Sequence, residues 1–446
     1  MLQINNFGFV SCKVFRDPAI ALYKMGVVLL VIAVALVALV AVMTWLGLTG
    51  KFGQGNPSPS PRKCDTLTPL QLVPENVTDY PFDTTVSVFT NWAIVGTPYN
   101  FAKGRVYLYK RVFGAWDHHQ EIQASDGSDS NLFGISVSIN EKNVVVGAPW
   151  RDTGGAVYSG YIGGVYMFTQ QGETWTEDII LTASDMTSGD RFGWSVAISG
   201  DTLLVGAPGK DIERGAAYVF VLAEDGSWDE GTRLIPRNGT FSGYEFGWLV
   251  SLSGDSALIG SRYESVAYIF HRMNGVWQEE AQLVPTNGEA SYYSQPSFDW
   301  AISGDTAMIG SPHDDDMNCT SPDDDVCGSR SGSVYVFIRQ DDGTWEEVQK
   351  LTPADRNALD YFGSSVAISG DTAFIWAERW WDEGTVGAGY VYTKIDGKWT
   401  ENITIVTEDG AGFLESRVAI SGSTAIFNTR GEGGTVNIVD DLFFSC

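Results

Sequence analysis

The segment Phe192 to Pro208, FGWSVAISGDTLLVGAP, recurs along the chain and constrains its fold more than any other feature. It reads as two short strands joined by a tight turn. In the first, Phe192, Trp194, Val196 and Ile198 are bulky and alternate with Gly193, Ser195, Ala197 and Ser199, so a period of two sets them on opposite faces. Neither face is markedly polar. Such a sheet suits packing between two copies of itself, with bulky side chains entering the small-residue face of the neighbour. Ser199-Gly200-Asp201 makes the turn and Leu203, Leu204 and Val205 the second strand. Gly206-Ala207-Pro208 ends it, because proline has no amide hydrogen to give to a ladder.

Aligning the chain on Ile198 recovers seven copies, at Val88, Ile139, Ile198, Leu252, Ile302, Ile368 and Ile420. Each is followed by a second apolar strand, and most then show a third strand of aromatic and branched residues such as Val165-Tyr166-Met167-Phe168. Asp-Gly or Asn-Gly hairpin signals follow in four copies. In six copies a tryptophan comes next: Trp116, Trp175, Trp228, Trp277, Trp345 and Trp399. Ligand residues rarely repeat in every blade, so these read as packing residues rather than carbohydrate-stacking ones. Four strands per period define a propeller blade, and the fold class is an all-β seven-bladed β-propeller. Leu70-Gln71-Leu72-Val73-Pro74 copies a fourth-strand ending ahead of the first repeat, whereas the last repeat stops after its third strand, Thr435 to Val439. The N-terminal strand is therefore expected to complete the last blade and remove the open edge.

The Phe-Gly opening and Gly-Ala-Pro close resemble the FG-GAP repeats of integrin alpha subunits and of propeller proteins of bacterial and algal surfaces. The match is fullest at Phe133 to Pro149 and Phe192 to Pro208, is half kept at Phe362-Gly363 and Gly310-Ser311-Pro312, and decays at Phe298-Asp299, Trp376-Ala377-Glu378 and Leu414-Glu415. The resemblance implies the propeller, not an activity. Integrin-type repeats often carry an Asp-rich calcium loop between their first two strands. Here the Ser-Gly-Asp turns at Ser199, Ser253, Ser303 and Ser369 are too short to wrap a cation that takes 6 to 8 oxygens. The acidic insertion of the longest repeat is the alternative calcium candidate: Asp314, Asp315 and Asp316 with Asp323, Asp324 and Asp325, held together by a Cys319–Cys327 bridge.

Ahead of the propeller, residues 1–24 read as a cytoplasmic tail, 25–48 as a transmembrane signal anchor and 49–65 as a Pro/Ser-rich stalk, leaving 66–446 for the ring. No charged residue lies between Met25 and Gly50, and Lys13, Arg16 and Lys24 precede the span. That asymmetry predicts a single-pass type II protein with the propeller extracellular or in a secretory lumen. Sequons at Asn76, Asn238, Asn318 and Asn402 all follow the span, as do the four cysteines Cys64, Cys319, Cys327 and Cys446. Counting along the repeats places Cys64 and Cys446 at the hairpin tip that blade 7 lacks, which predicts a bridge there.

The net charge of −27 argues against nucleic-acid binding, which needs a basic footprint. Four histidines, none in a zinc-binding spacing, and no nucleophile elbow leave no recognisable catalytic set. The sequence thus points to a protein that recognises a protein or glycan partner. A lumenal glycan-processing or hydrolytic enzyme and a structural surface component are the alternatives. Strand alternation sends the second-to-third and fourth-to-first loops to one face of the ring, where function is expected. Its aromatic candidates are Trp150, Tyr158, Tyr292, Tyr293, Trp380 and Trp381.

Overall fold

In the computed structural model, the described residues are 69–72, 84–98, 104–126, 131–152, 161–263, 266–286, 299–315, 330–378, 387–406, 417–429, 435–440 and 442, with the backbone of 3–4, 10–11 and 62–63. The predicted span at 25–48 lies outside them. Among the described residues no helix is long and apolar enough to cross a membrane. The chain divides into units Met1–Ser60 and Pro61–Cys446. In the first, Gln3–Ile4 pairs antiparallel with Val10–Ser11.

The second unit is an all-β ring of seven antiparallel blades. Blades 1 to 6 occupy residues 85–122, 136–181, 196–234, 246–283, 300–351 and 365–406, each with its strands in sequence order. Blade 7 takes Val418–Ser421, Thr424–Thr429 and Thr435–Val439 from the C-terminal end and Leu70–Leu72 from the other. Leu72 pairs with Val436, Gln71 with Asn437 and Leu70 with Ile438, so the expected closure is present. Two residues of the predicted stalk, Arg62–Lys63, add a short parallel strand beside Ile403 and Thr404 of blade 6.

Apolar side chains cluster between blades, as their occurrence on both faces requires. Val145, Val165 and Met167 of blade 2 pack with Phe192, Val196, Ile198 and Leu203 of blade 3. The same arrangement recurs around the ring, including Leu72, Ile426 and Val436 of blade 7 against Val86, Val95 and Tyr107 of blade 1. Five of the six outer-strand tryptophans are core residues, as read: Trp175 and Trp399 are each 2% exposed, and Trp116, Trp228 and Trp277 are buried, whereas Trp345 is half-buried against the core.

The Phe-Gly pair is not part of a regular first strand: even in blade 4, where the strand starts at Phe246, the pairing is bulged between Phe246 and Leu249. Blade 3 begins its first strand only at Val196, because Arg191 (φ 58°) and Gly193 (φ 88°) are left-handed and break the extended run. This corrects the alternation read from Phe192. Phe192 instead packs edge-on to Tyr218 and Phe220, while its backbone bridges Gly163 of blade 2. The blades meet so closely here that a Cβ on Gly147 would lie 2.0 Å from the Gly193 carbonyl oxygen. A second correction concerns Phe298-Asp299. The pairings Trp300 with Ile309 and Val196 with Val205 set Asp299 level with Ser195, not with Gly193.

Polar side chains also join the blades. A glutamate two residues after five of the six tryptophans accepts from a backbone amide of the preceding blade's exit loop: Glu177 from Ser125 at 3.0 Å, Glu230 from Ser184 at 2.8 Å, Glu279 from Arg237, Glu347 from Thr286 at 2.8 Å and Glu401 from Ala354 at 3.0 Å. Third-strand tyrosines donate to aspartates, Tyr218 to Asp185 at 2.8 Å and Tyr390 to Asp355 at 2.9 Å. Part of the carboxylate excess is therefore structural.

Candidate functional site

On the loop face, blades 2, 3 and 4 enclose a cleft of about 1320 Å³. Its walls come from the second-to-third loops, which carry Trp150, residues 209–214 and Arg262, and from the exit loops, which carry residues 187–191 and Ser242. Trp194 and Trp248 continue it toward the ring axis, where both, with Arg262, also line a cavity of about 520 Å³ along the first strands.

The floor is locked by a buried ion pair. Lys210 and Asp190 have side chains 4% and 3% exposed and lie 2.9 Å apart, and Asp190 also accepts from the Thr187 amide at 2.6 Å. Burial of both charges is tolerable because each is paired and hydrogen-bonded. Lys210 further donates to the Asp185 carbonyl. Burial, followed by the Tyr218 hydrogen bond to Asp185, pushes the Tyr218 hydroxyl pKa well up, so it stays a donor. After Lys210 the chain runs through Asp211, Ile212 and Glu213 in left-handed backbone, φ 52°, 61° and 58°. Such a run is unfavourable by roughly 1–2 kcal/mol per residue. It holds Ile212 out in solvent, 84% exposed. The Arg233 hydrogen bond to Asp211 keeps that carboxyl below the usual carboxylate range.

The polar centre is an arginine–glutamate chain across the blade 3–blade 4 seam. Arg191 Nη1 donates to Glu245 Oε1 at 3.0 Å, Arg262 Nη1 to Glu245 Oε2 at 3.4 Å, and Arg191 Nη2 lies 3.6 Å from Glu213 Oε1. Arg191 and Glu245 hold the same place in their blades, each immediately before the Phe-Gly pair and each with positive φ. Leu132 and Tyr361 share that backbone conformation in blades 2 and 6. A repeated turn thus presents a variable side chain on the loop face. Aromatic rings flank the chain: Trp194 and Trp248 have centroids 4.4 Å apart, the Arg262 guanidinium lies 4.2 Å over Trp248, and Trp150 stacks on Tyr161 at 5.6 Å.

Of the residues singled out from the sequence, Trp150 lines this cleft. Tyr158, Tyr292, Tyr293, Trp380 and Trp381 lie outside the described residues, as do Asn76, Asn318, Cys64, Cys319, Cys327, Cys446, Asp316, Asp323, Asp324 and Asp325. Asp314 is turned inward: it is 2% exposed, accepts from Ser311 Oγ at 2.8 Å and from the Tyr335 hydroxyl, and pairs with Lys350 at 3.1 Å. Asp315 accepts from the Arg330 amide at 2.7 Å. Among the described residues no group of three or more His, Cys, Asp or Glu side chains is placed to hold a metal. Asn238 is exposed in a turn, whereas Asn402 lies in the strand Lys398–Val406, its amide donating to Thr393 Oγ1. The sequence reading missed Arg191, Glu245, Trp194, Trp248, Arg262 and Tyr161. The one available signal was that Trp194 and Trp248 both follow a Phe-Gly pair.

A ring of seven four-stranded blades whose loops frame a cleft on one face defines a β-propeller. The FG-GAP repeat family matches residues 116–162, 175–220, 277–337 and 345–392; the last three run from the outer strand of one blade into the third strand of the next, and the first ends just ahead of that strand. With the seven-bladed ring, these matches make the chain an FG-GAP repeat propeller protein. A search of curated proteins gave no match.

Proposed function

We propose that this chain is a single-pass membrane protein whose propeller recognises a protein or glycan partner through the loop-face cleft of blades 2 to 4. The observation carrying the reading is the Arg191–Glu245–Arg262 chain flanked by half-buried aromatic rings. None of these groups closes the ring or fills a blade core, and the left-handed turn that recurs ahead of the Phe-Gly pairs carries Arg191 and Glu245 to the loop face. Family membership supports a recognition role. The uncharged run from Met25 to Gly50 and its basic N-terminal flank support anchoring, with the propeller extracellular or lumenal.

Topology is tested in sealed microsomes carrying full-length Ile212→Cys protein. A membrane-impermeant maleimide is expected to label Cys12 without detergent and Cys at position 212 only after permeabilisation. The reverse pattern would overturn the orientation.

A further inference from the structure

We infer that the cleft takes a pyranose oligosaccharide without net charge, an inference that rests on reading the cleft as the recognition site. Aromatic rings line the cleft in pairs, with Arg262 already over one ring, Trp248. Trp194 and Trp248 lie 4.4 Å apart, and Trp150 stacks on Tyr161, which is 37% exposed. The CH-rich face of a pyranose is flat and apolar in the same way and covers such rings with little entropy loss, since aromatic side chains have few rotamers to freeze.

The polar groups between these rings are already neutralised by one another. Glu245 is shared by Arg191 and Arg262, and Asp190 is matched by Lys210. What faces the cleft is the guanidinium N–H donors of Arg191 and Arg262 and the exposed carboxylates of Asp211 and Glu213. A sugar hydroxyl donates and accepts at once and can bridge such a pair. A charged side chain or a uronate would have to break an existing pair or leave one charge desolvated without a partner. Arg214, exposed at the rim, acts with Arg233 and Lys210 on the Asp211 carboxyl and is offset by it. The volume of about 1320 Å³ exceeds the roughly 300–1,000 Å³ of a small-molecule pocket and calls for several linked rings. Because the buried Lys210–Asp190 pair fixes the loop and the left-handed turns fix Arg191 and Glu245, little ordering is left to binding.

The test titrates the full chain, in a detergent without sugar headgroups, with neutral gluco-, manno-, galacto- and xylo-configured hexasaccharides and with hexagalacturonate. Tryptophan fluorescence and calorimetry are read together. One neutral series is expected to bind saturably, at least tenfold more tightly than hexagalacturonate. Trp248→Ala and Tyr161→Ala should each weaken it at least tenfold with the thermal melt unchanged; should Trp248→Ala lower the melt, rim-exposed Tyr161 decides. Tighter uronate binding, or no saturable binding of any neutral hexamer, overturns the ligand class and leaves the recognition site standing. Saturable neutral binding that both substitutions leave intact overturns the placement in the cleft, and the recognition reading with it.

Discussion

The backbone amide of Thr90 donates to Ser421 Oγ at 3.3 Å across 331 residues, joining the first turn of blade 1 to that of blade 7. The same bond runs along the ring: Gly254 to Ser199 at 3.0 Å, Gly304 to Ser253 at 2.9 Å, Gly370 to Ser303 at 3.0 Å and Gly422 to Ser369 at 3.1 Å. The Ser-Gly turns, too short for a calcium loop, hold adjacent blades together.

Each of these bonds is solvent-exposed, so removing one hydroxyl has a modest effect. Ser369→Ala and Ser421→Ala are each expected to destabilise the ring by about 1 kcal/mol, read as a lower denaturant midpoint with unchanged slope. A change of slope would mean that the turns set the cooperativity of the ring instead.

Deleting residues 66–74 strips blade 7 of the strand Leu70–Leu72 and exposes the edge of Thr435–Val439. The expected result is aggregation or a broad, protease-sensitive melt. An unchanged cooperative transition would contradict closure by this strand.

Gly147→Ala is a purely steric test, because its backbone is not left-handed while its Cβ would meet the Gly193 carbonyl of the next blade. The blades would have to part, at a cost of about 3 kcal/mol. A thermal melt within a degree of the parent would show that the interface yields more easily than its spacing implies.

Asp299 stands where blade 3 has Ser195 and is 8% exposed, accepting from Ser365 Oγ and from the amides of Val366 at 3.0 Å and Trp300 at 3.0 Å. Burial raises its pKa, and the nearby Arg417 charge opposes that rise without cancelling it. A carboxyl whose folded pKa is raised binds its proton more tightly when folded. Its contribution is fully present below the unfolded pKa of about 4 and is lost as pH climbs through the folded value. Asp299→Asn removes that loss, so the stability difference between variant and parent is expected to shift in favour of the variant as pH rises from 4 to 8. A constant difference across that range would show that the group does not titrate differently on folding.

Blade number, closure and the buried tryptophans were legible because they rest on period-two alternation and on copies that check one another. The cleft was not. Trp194 fell into the bulky stripe of an assumed strand, and only the left-handed backbone at Arg191 and Gly193 takes it out of that alternation. Arg191 and Glu245 are 54 residues apart, and nothing local signals that two charged residues ahead of successive Phe-Gly pairs will meet across a seam. Asp299 was misplaced for a related reason: it follows a phenylalanine, so the dipeptide imitated the motif while the strand pairing set it two residues further on. Asp314, read with a calcium cluster, supplies a buried acceptor for Tyr335, a pairing visible only once the third strand is packed.

The loop-face recognition claim is tested most directly by placing a photocrosslinking residue at Ile212, beside the cleft, and separately at Phe113, at an exposed hairpin tip on the opposite face. With the full chain irradiated in cells that express it, the account predicts partner adducts from position 212 that are lost when Trp248→Ala is added, and none from position 113. Adducts from position 113 alone, or equally from both and indifferent to Trp248, would contradict it.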